Sequence, residues 1–110
     1  MDLKMNPVAE QLAAFNARDL EHFVACYIED IVIEDGADKI TMKGRQAMRE
    51  NYGRMFENYP DLHCEIASEM SVGEYVIHEE RLTGAIPAEM HAVVIYRVAG
   101  EQIEHCRIIT

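Results

Sequence analysis

Over the first sixty positions the apolar residues recur at helical spacing, and from Leu62 onward they alternate or run together as strands do. Asn6 can cap a helix, Pro7 suits its first position, and Val8, Leu12 and Phe15 follow on one face up to "NARD". Asp19 can cap a second helix with Leu20, Phe23, Val24 and Tyr27 as its apolar face. A short strand pair, at about 31–35 and 39–42, should follow. After Gly44, the residues Met48, Tyr52, Met55, Phe56 and Tyr59 make one stripe of a third helix, which Pro60 stops. "LHCEIASEM", "EYVIHEERLTG", "MHAVVIYRVAG" and "EQIEHCRIIT" then read as four strands, with turn signals at Gly73, around Gly84–Pro87 and at Gly100. Helices followed by an antiparallel meander predict an α+β domain with the helices on one face of a curved sheet.

Composition narrows this picture. A chain of 110 residues is expected to be one domain, 1–110, large enough for one core and one pocket. Twenty acids against ten bases give a formal charge of −10, which repels phosphate backbones and anionic lipid, so neither nucleic acid nor a membrane is an expected partner. No stretch has the ~20 apolar residues of a membrane helix, and "MDLKMNPVAEQ" lacks the segments of a signal peptide. The expectation is a soluble, cytoplasmic protein. Cys26, Cys64 and Cys106 are odd in number and show no C-x-x-C spacing, which predicts reduced, partly buried thiols.

Candidate chemistry is concentrated in three places. Glu34 and Asp35 end the apolar run Ile31-Val32-Ile33 just before Gly36, where an acid either initiates a turn or closes a cavity. "VIHEERLTG" puts His78, Glu79, Glu80 and Arg81 mid-strand, and alternation splits them into His78 with Glu80 and Glu79 with Arg81. His22 and Cys26 share a helix face, but no zinc spacing occurs, and the adjacent pairs His63-Cys64 and His105-Cys106 offer one ligand each to a given site; no metal is expected. Seven methionines, Met48, Met55, Met70 and Met90 among them, suit an adaptable apolar lining. Serine-hydrolase, P-loop and dinucleotide motifs do not occur, and no cofactor is called for.

The runs "FNARDLEHFVACYIEDIVIEDG", "MKGRQAMRENYGRMF", "VIHEERLTG" and "AVVIYRVAGEQIEHCRII" resemble the SnoaL-like and ketosteroid-isomerase-like branch of the nuclear-transport-factor-2-like superfamily. The resemblance spans nearly the whole chain and implies a cone-shaped curved antiparallel sheet packed against three N-terminal helices. It places Asp35, in Ile33-Glu34-Asp35-Gly36, on the general-base aspartate of the isomerases, and Tyr27 and Tyr52 on tyrosines that support the catalytic phenol. Gln11 stands where that phenol would be, and Val94 where a neutral proton-donating aspartate would be. Extending the alignment turns Glu79 and Arg81 inward. Tyr96 and His78 are further candidates to reach the ligand.

Two functions from different classes follow. In the first, Asp35 moves a proton on a small carbonyl-containing or polycyclic ligand, as a cofactor-independent, steroid delta-isomerase-like enzyme would, with Gln11 and Tyr52 assisting and Tyr27, Met48, Glu79, Arg81, Val94 and Tyr96 contacting the ligand; water activation by Asp35 with Arg81 and Glu79, a hydrolase, ranks lower. In the second, a ligand-binding or dimerisation module has kept the pocket and lost the chemistry with the oxyanion donors. Apolar residues on both faces of "HAVVIYRV" predict a homodimer.

Overall fold

The fold was obtained as a computed structural model that describes residues 6–36, 39–85 and 89–110. Helix α1 (Pro7–Ala17) starts as its sequence requires: the Asn6 side chain accepts the Ala9 N–H at 2.9 Å and Pro7 takes the first turn. Arg18 closes it in the left-handed conformation and extends its guanidinium to the Leu62 carbonyl at 2.6 Å. Helix α2 (Leu20–Ala25) is capped by Asp19 on the His22 N–H.

Strand β1 runs Tyr27–Asp35 and β2 Ile40–Lys43; α3 (Arg45–Asn58) follows, and β3 (His63–Val72), β4 (Tyr75–Thr83), β5 (Met90–Ala99) and β6 (Gln102–Ile109) complete the chain. Tyr27 is therefore the first strand residue and not the last of the helical face. The β-branched run that follows favours extended backbone, and Arg45 holds the Tyr27 carbonyl at 2.8 Å where the helix has ended.

The six strands form one sheet in the order β2-β1-β6-β5-β4-β3. It is not antiparallel throughout. β6 returns alongside β1 in parallel, pairing Ile33 with Cys106 and Asp35 with Ile108. The expected turn around Gly84–Pro87 lies partly outside the described residues; Gly84 itself has φ +83°, and a Cβ there would collide with the Asp61 carbonyl, so the exit from β4 needs glycine.

The helices cover the inner face of the curved sheet. Phe15, Phe23, Tyr52 and Phe56 interlock largely edge-to-face between helices and sheet, with ring centroids 4.8 Å apart for Phe23 and Tyr52 and 5.3 Å for Phe15 and Phe56. Inner positions of the strands, among them Ile31, Ile33, Val94, Tyr96, Ile103 and Cys106, complete the core. No helix among the described residues is long and apolar enough to cross a membrane.

Candidate functional site

The core is incompletely filled. A cavity of about 130 Å³ opens between helices and sheet, walled by Phe15, Phe23, Tyr27 and Tyr52 on one side and by inner residues of β3–β6 on the other. Its polar groups are few, and most of them are joined.

Gln11 arises from helix periodicity: Val8, Gln11, Ala14 and Phe15 form the buried stripe of α1, so one amide lands in an otherwise apolar face. A buried amide must find partners, and this one does. Tyr27 donates its hydroxyl to Gln11 Oε1 at 3.0 Å, Gln11 Nε2 donates to the Tyr96 hydroxyl at 3.3 Å, and Tyr96 donates to Glu80 Oε2 at 3.1 Å. Every donor in this chain points toward Glu80.

Glu80 is the one carboxylate among the described residues that line the cavity, and it is only 7 % exposed. A carboxylate taken out of water costs several kcal/mol unless it is compensated. Besides Tyr96, it has the Cys64 thiol beside it and His78 behind it, with Nδ1 3.4 Å from Glu80 Oε2. That last contact is close enough for ion pairing but is not directed as a hydrogen bond. The other ring nitrogen, Nε2, lies 2.6 Å from Glu69 Oε2.

Electrostatics assign different tasks to these groups. Burial raises the Tyr27 and Tyr96 phenols well above 10, with neighbouring acids adding to the effect, and Tyr52 shifts the same way. They remain neutral donors. Burial, then the charge and hydrogen bond of Glu80, push the Cys64 thiol up to about 12, and Cys106 is raised likewise by burial and Glu80, so neither supplies a thiolate near neutral pH. For His78, burial acts against the imidazolium, but the facing Glu80 and Glu69 carboxylates outweigh it and raise its pKa from 6.5.

The structure brings Gln11, Tyr27, Tyr52, Val94 and Tyr96 to the cavity wall. Asp35 is half-buried at the end of β1, opposite Ile108, and is not among the lining residues. Met48 is fully buried in the core outside the cavity; Met55 and Met90 line it instead. Glu79 and Arg81 do not turn inward. Alternation buries His78 and Glu80, leaving Glu79 to pair with His91 at 2.7 Å and Arg81 with Glu89 at 3.7 Å on the outer face. A one-residue change of register accounts for the reversal, and a signal for it existed: Val76 and Leu82 share the parity of His78 and Glu80.

Glu10, His22 and Cys26 bring potential ligand atoms within 4.8 Å of one another. The Cys26 thiol donates to the His22 carbonyl, and burial, then Glu10, hold its pKa up at about 11, as suits a hydrogen-bonded core thiol.

The SnoaL-like domain profile matches residues 8–106. The chain belongs to the SnoaL-like domain family. No curated protein matches it. Among solved structures, this SnoaL-like domain is similar to an uncharacterised cystatin-fold protein from Novosphingobium aromaticivorans, with TM-score 0.88 and 22 % identity over 97 % of this chain and 100 % of that one. A ketosteroid-isomerase-like protein from Catenulispora acidiphila, solved in complex with trimethylamine, gives TM-score 0.75 and 21 % identity over 93 % and 82 % of the two chains. IdmH, a candidate polyketide cyclase from Streptomyces antibioticus, gives 0.78 and 19 % over 94 % and 88 %. At these identities the likeness is one of fold, and the fold hosts many functions.

Proposed function

We propose that this SnoaL-like domain takes a one-ring, carbonyl-bearing molecule into its cavity and shifts a proton on it, as an isomerase does, with Glu80 rather than Asp35 as the base. The observation that carries this reading is the position of Glu80, a single carboxylate in an apolar cavity, held by Tyr96 and backed by His78. Size supports the ligand class: about 130 Å³ compares with the ~150 Å³ apolar cavity that accommodates benzene, which suits one ring better than the four of a steroid.

Abstraction of an α-proton leaves charge on the carbonyl oxygen, and neutral donors must meet it. Gln11 has a second amide N–H beyond the one given to Tyr96, and the Tyr52 phenol takes no part in the chain from Tyr27 to Glu80. These are the donors assigned to the developing enolate.

The β,γ-unsaturated ketone cyclohex-3-enone is a probe of matching size. Wild-type protein should speed its conversion to the conjugated isomer; Glu80→Gln should lower that acceleration by about 10²–10⁴-fold, while Asp35→Asn leaves it in place. Loss of activity in Asp35→Asn alone would move the base to Asp35.

A second reading is binding without chemistry. The Catenulispora neighbour holds trimethylamine, and here aromatic rings and one carboxylate surround a cavity suited to a small alkylammonium ion. Calorimetric binding of trimethylammonium, lost in Glu80→Gln, with wild type inert toward the ketone, would favour it. On either reading we propose a homodimer formed through the outer face of the sheet.

A further inference from the structure

We infer that His78 is a proton conduit between the closed side of the cavity and solvent, passing protons from Glu80 to Glu69 and back. This rests on the reading that Glu80 takes a proton from the ligand.

The geometry is a line of three groups. Glu69 and His78 are register partners on β3 and β4, and Glu80 lies two residues further along the same face of β4. Each imidazole nitrogen therefore faces a carboxylate: Nε2 meets Glu69 at 2.6 Å, and Nδ1 meets Glu80 at 3.4 Å. The two carboxylates differ in what they touch. The Glu80 side chain is 9 % exposed and lines the cavity, whereas that of Glu69 is 59 % exposed. His78 itself is 1 % exposed and packs edge-on against Tyr96, with ring centroids 5.6 Å apart. The titratable groups facing it are thus Glu69 from β3, Glu80 from β4 and Tyr96 from β5, and the last stays neutral.

A histidine that served packing alone would have both nitrogens in settled hydrogen bonds. Nδ1 has none, although it is buried and aimed at Glu80. The carboxylates on either side favour the proton-bearing ring and raise the His78 pKa from 6.5, as suits a group that exchanges protons with both acids.

The transfer balances without any oxidant or reductant. With His78 as the neutral Nε2–H tautomer, the protonated Glu80 carboxyl gives its proton to Nδ1 and keeps the O–H pair. The ring releases its Nε2 proton to the Glu69 carboxylate, which hands it to water. Reverse passage delivers a solvent proton to Glu80 and restores the tautomer. One outward and one inward passage replace the ligand-derived proton by one from solvent while the ligand stays bound.

Isotope content measured per product molecule reads this conduit independently of rate. With cyclohex-3-enone in heavy water, wild-type product should carry solvent deuterium at the γ carbon. In His78→Gln and Glu69→Gln, Glu80 should return the same proton it took, and enzyme-derived deuterium per product, corrected for the uncatalysed reaction, should fall at least about fivefold. Glu69→Gln alters an exposed side chain and keeps the test valid if His78→Gln does not fold. Wild-type deuterium content in both variants would overturn the conduit. Wild-type protein inert toward the ketone would instead count against the proposed reaction, and the conduit is then judged on the free protein by ¹⁵N NMR titration of His78. Glu69→Gln and Glu80→Gln should each move that titration to lower pH; an unchanged titration in Glu80→Gln would overturn it.

Discussion

Two carboxylates face the His78 ring and raise its pKa, although burial alone would lower it. The consequence for stability has a definite sign. The folded protein binds this proton more tightly than the unfolded chain, whose histidine titrates near 6.5. Below that value both states carry the proton and the stabilisation is complete; as pH rises through the higher folded value the native state loses the proton and the stabilisation fades. The destabilisation caused by His78→Gln should therefore be larger at about pH 5.5 than at about pH 8.5, measured by urea unfolding of both proteins at each pH. An equal penalty at both would mean that the pair of acids does not hold the charge.

At the scale of elements, β3 is one of the two edge strands of the sheet, and an exposed edge invites pairing with other chains. The end of α1 covers part of it. Asn16 acts there as a substitute strand: its Oδ1 accepts the Cys64 N–H at 2.8 Å and its Nδ2 donates to the Cys64 carbonyl at 3.0 Å. Asn16→Ala removes both bonds and should cost about 2 kcal/mol in urea unfolding, whereas Asn16→Asp keeps the acceptor and should cost less. This clamp could not be read from the chain, and the inward register of β4 was signalled only by the parity of Val76 and Leu82. Caps and helical stripes were legible, since Asn6, Pro7, Asp19 and the Met48–Tyr59 stripe act within a few residues of one another. Gln11 and Tyr96, expected to reach inward, do line the cavity. Glu80 was missed. Which parity of "VIHEERLTG" faces inward depends on pairing with β3 and β5, and the register shift between Ile66 and Ser68 is a long-range feature with no local sequence signal.

The whole molecule has one sheet face that the helices leave uncovered. Its middle is apolar: Ile77 pairs with Ile95, and Val93 lies between Glu79 on one side and Ile109 on the other. Ion pairs surround that strip, Glu79 with His91 and Arg97 with Glu104, each at 2.7 Å, and His105 and Arg107 with Glu34. An apolar centre inside a charged rim is the anatomy of a protein interface, and a two-fold axis through β5 would bury Ile95 against its own copy. Against this works the formal charge of −10 on each chain, which repels a second copy at long range and is screened within ~8 Å at physiological salt. The dimer should therefore tighten as salt rises, contrary to an interface held mainly by ion pairs. Sedimentation equilibrium at about 10 μM should find mostly dimer at roughly 0.5 M sodium chloride and a larger monomer fraction at roughly 0.02 M. Ile95→Glu should abolish the dimer at both, because it sets two like charges against each other in the apolar strip. A wild-type protein that sediments as monomer at every salt concentration would end the dimer proposal and leave the strip as solvent-facing surface.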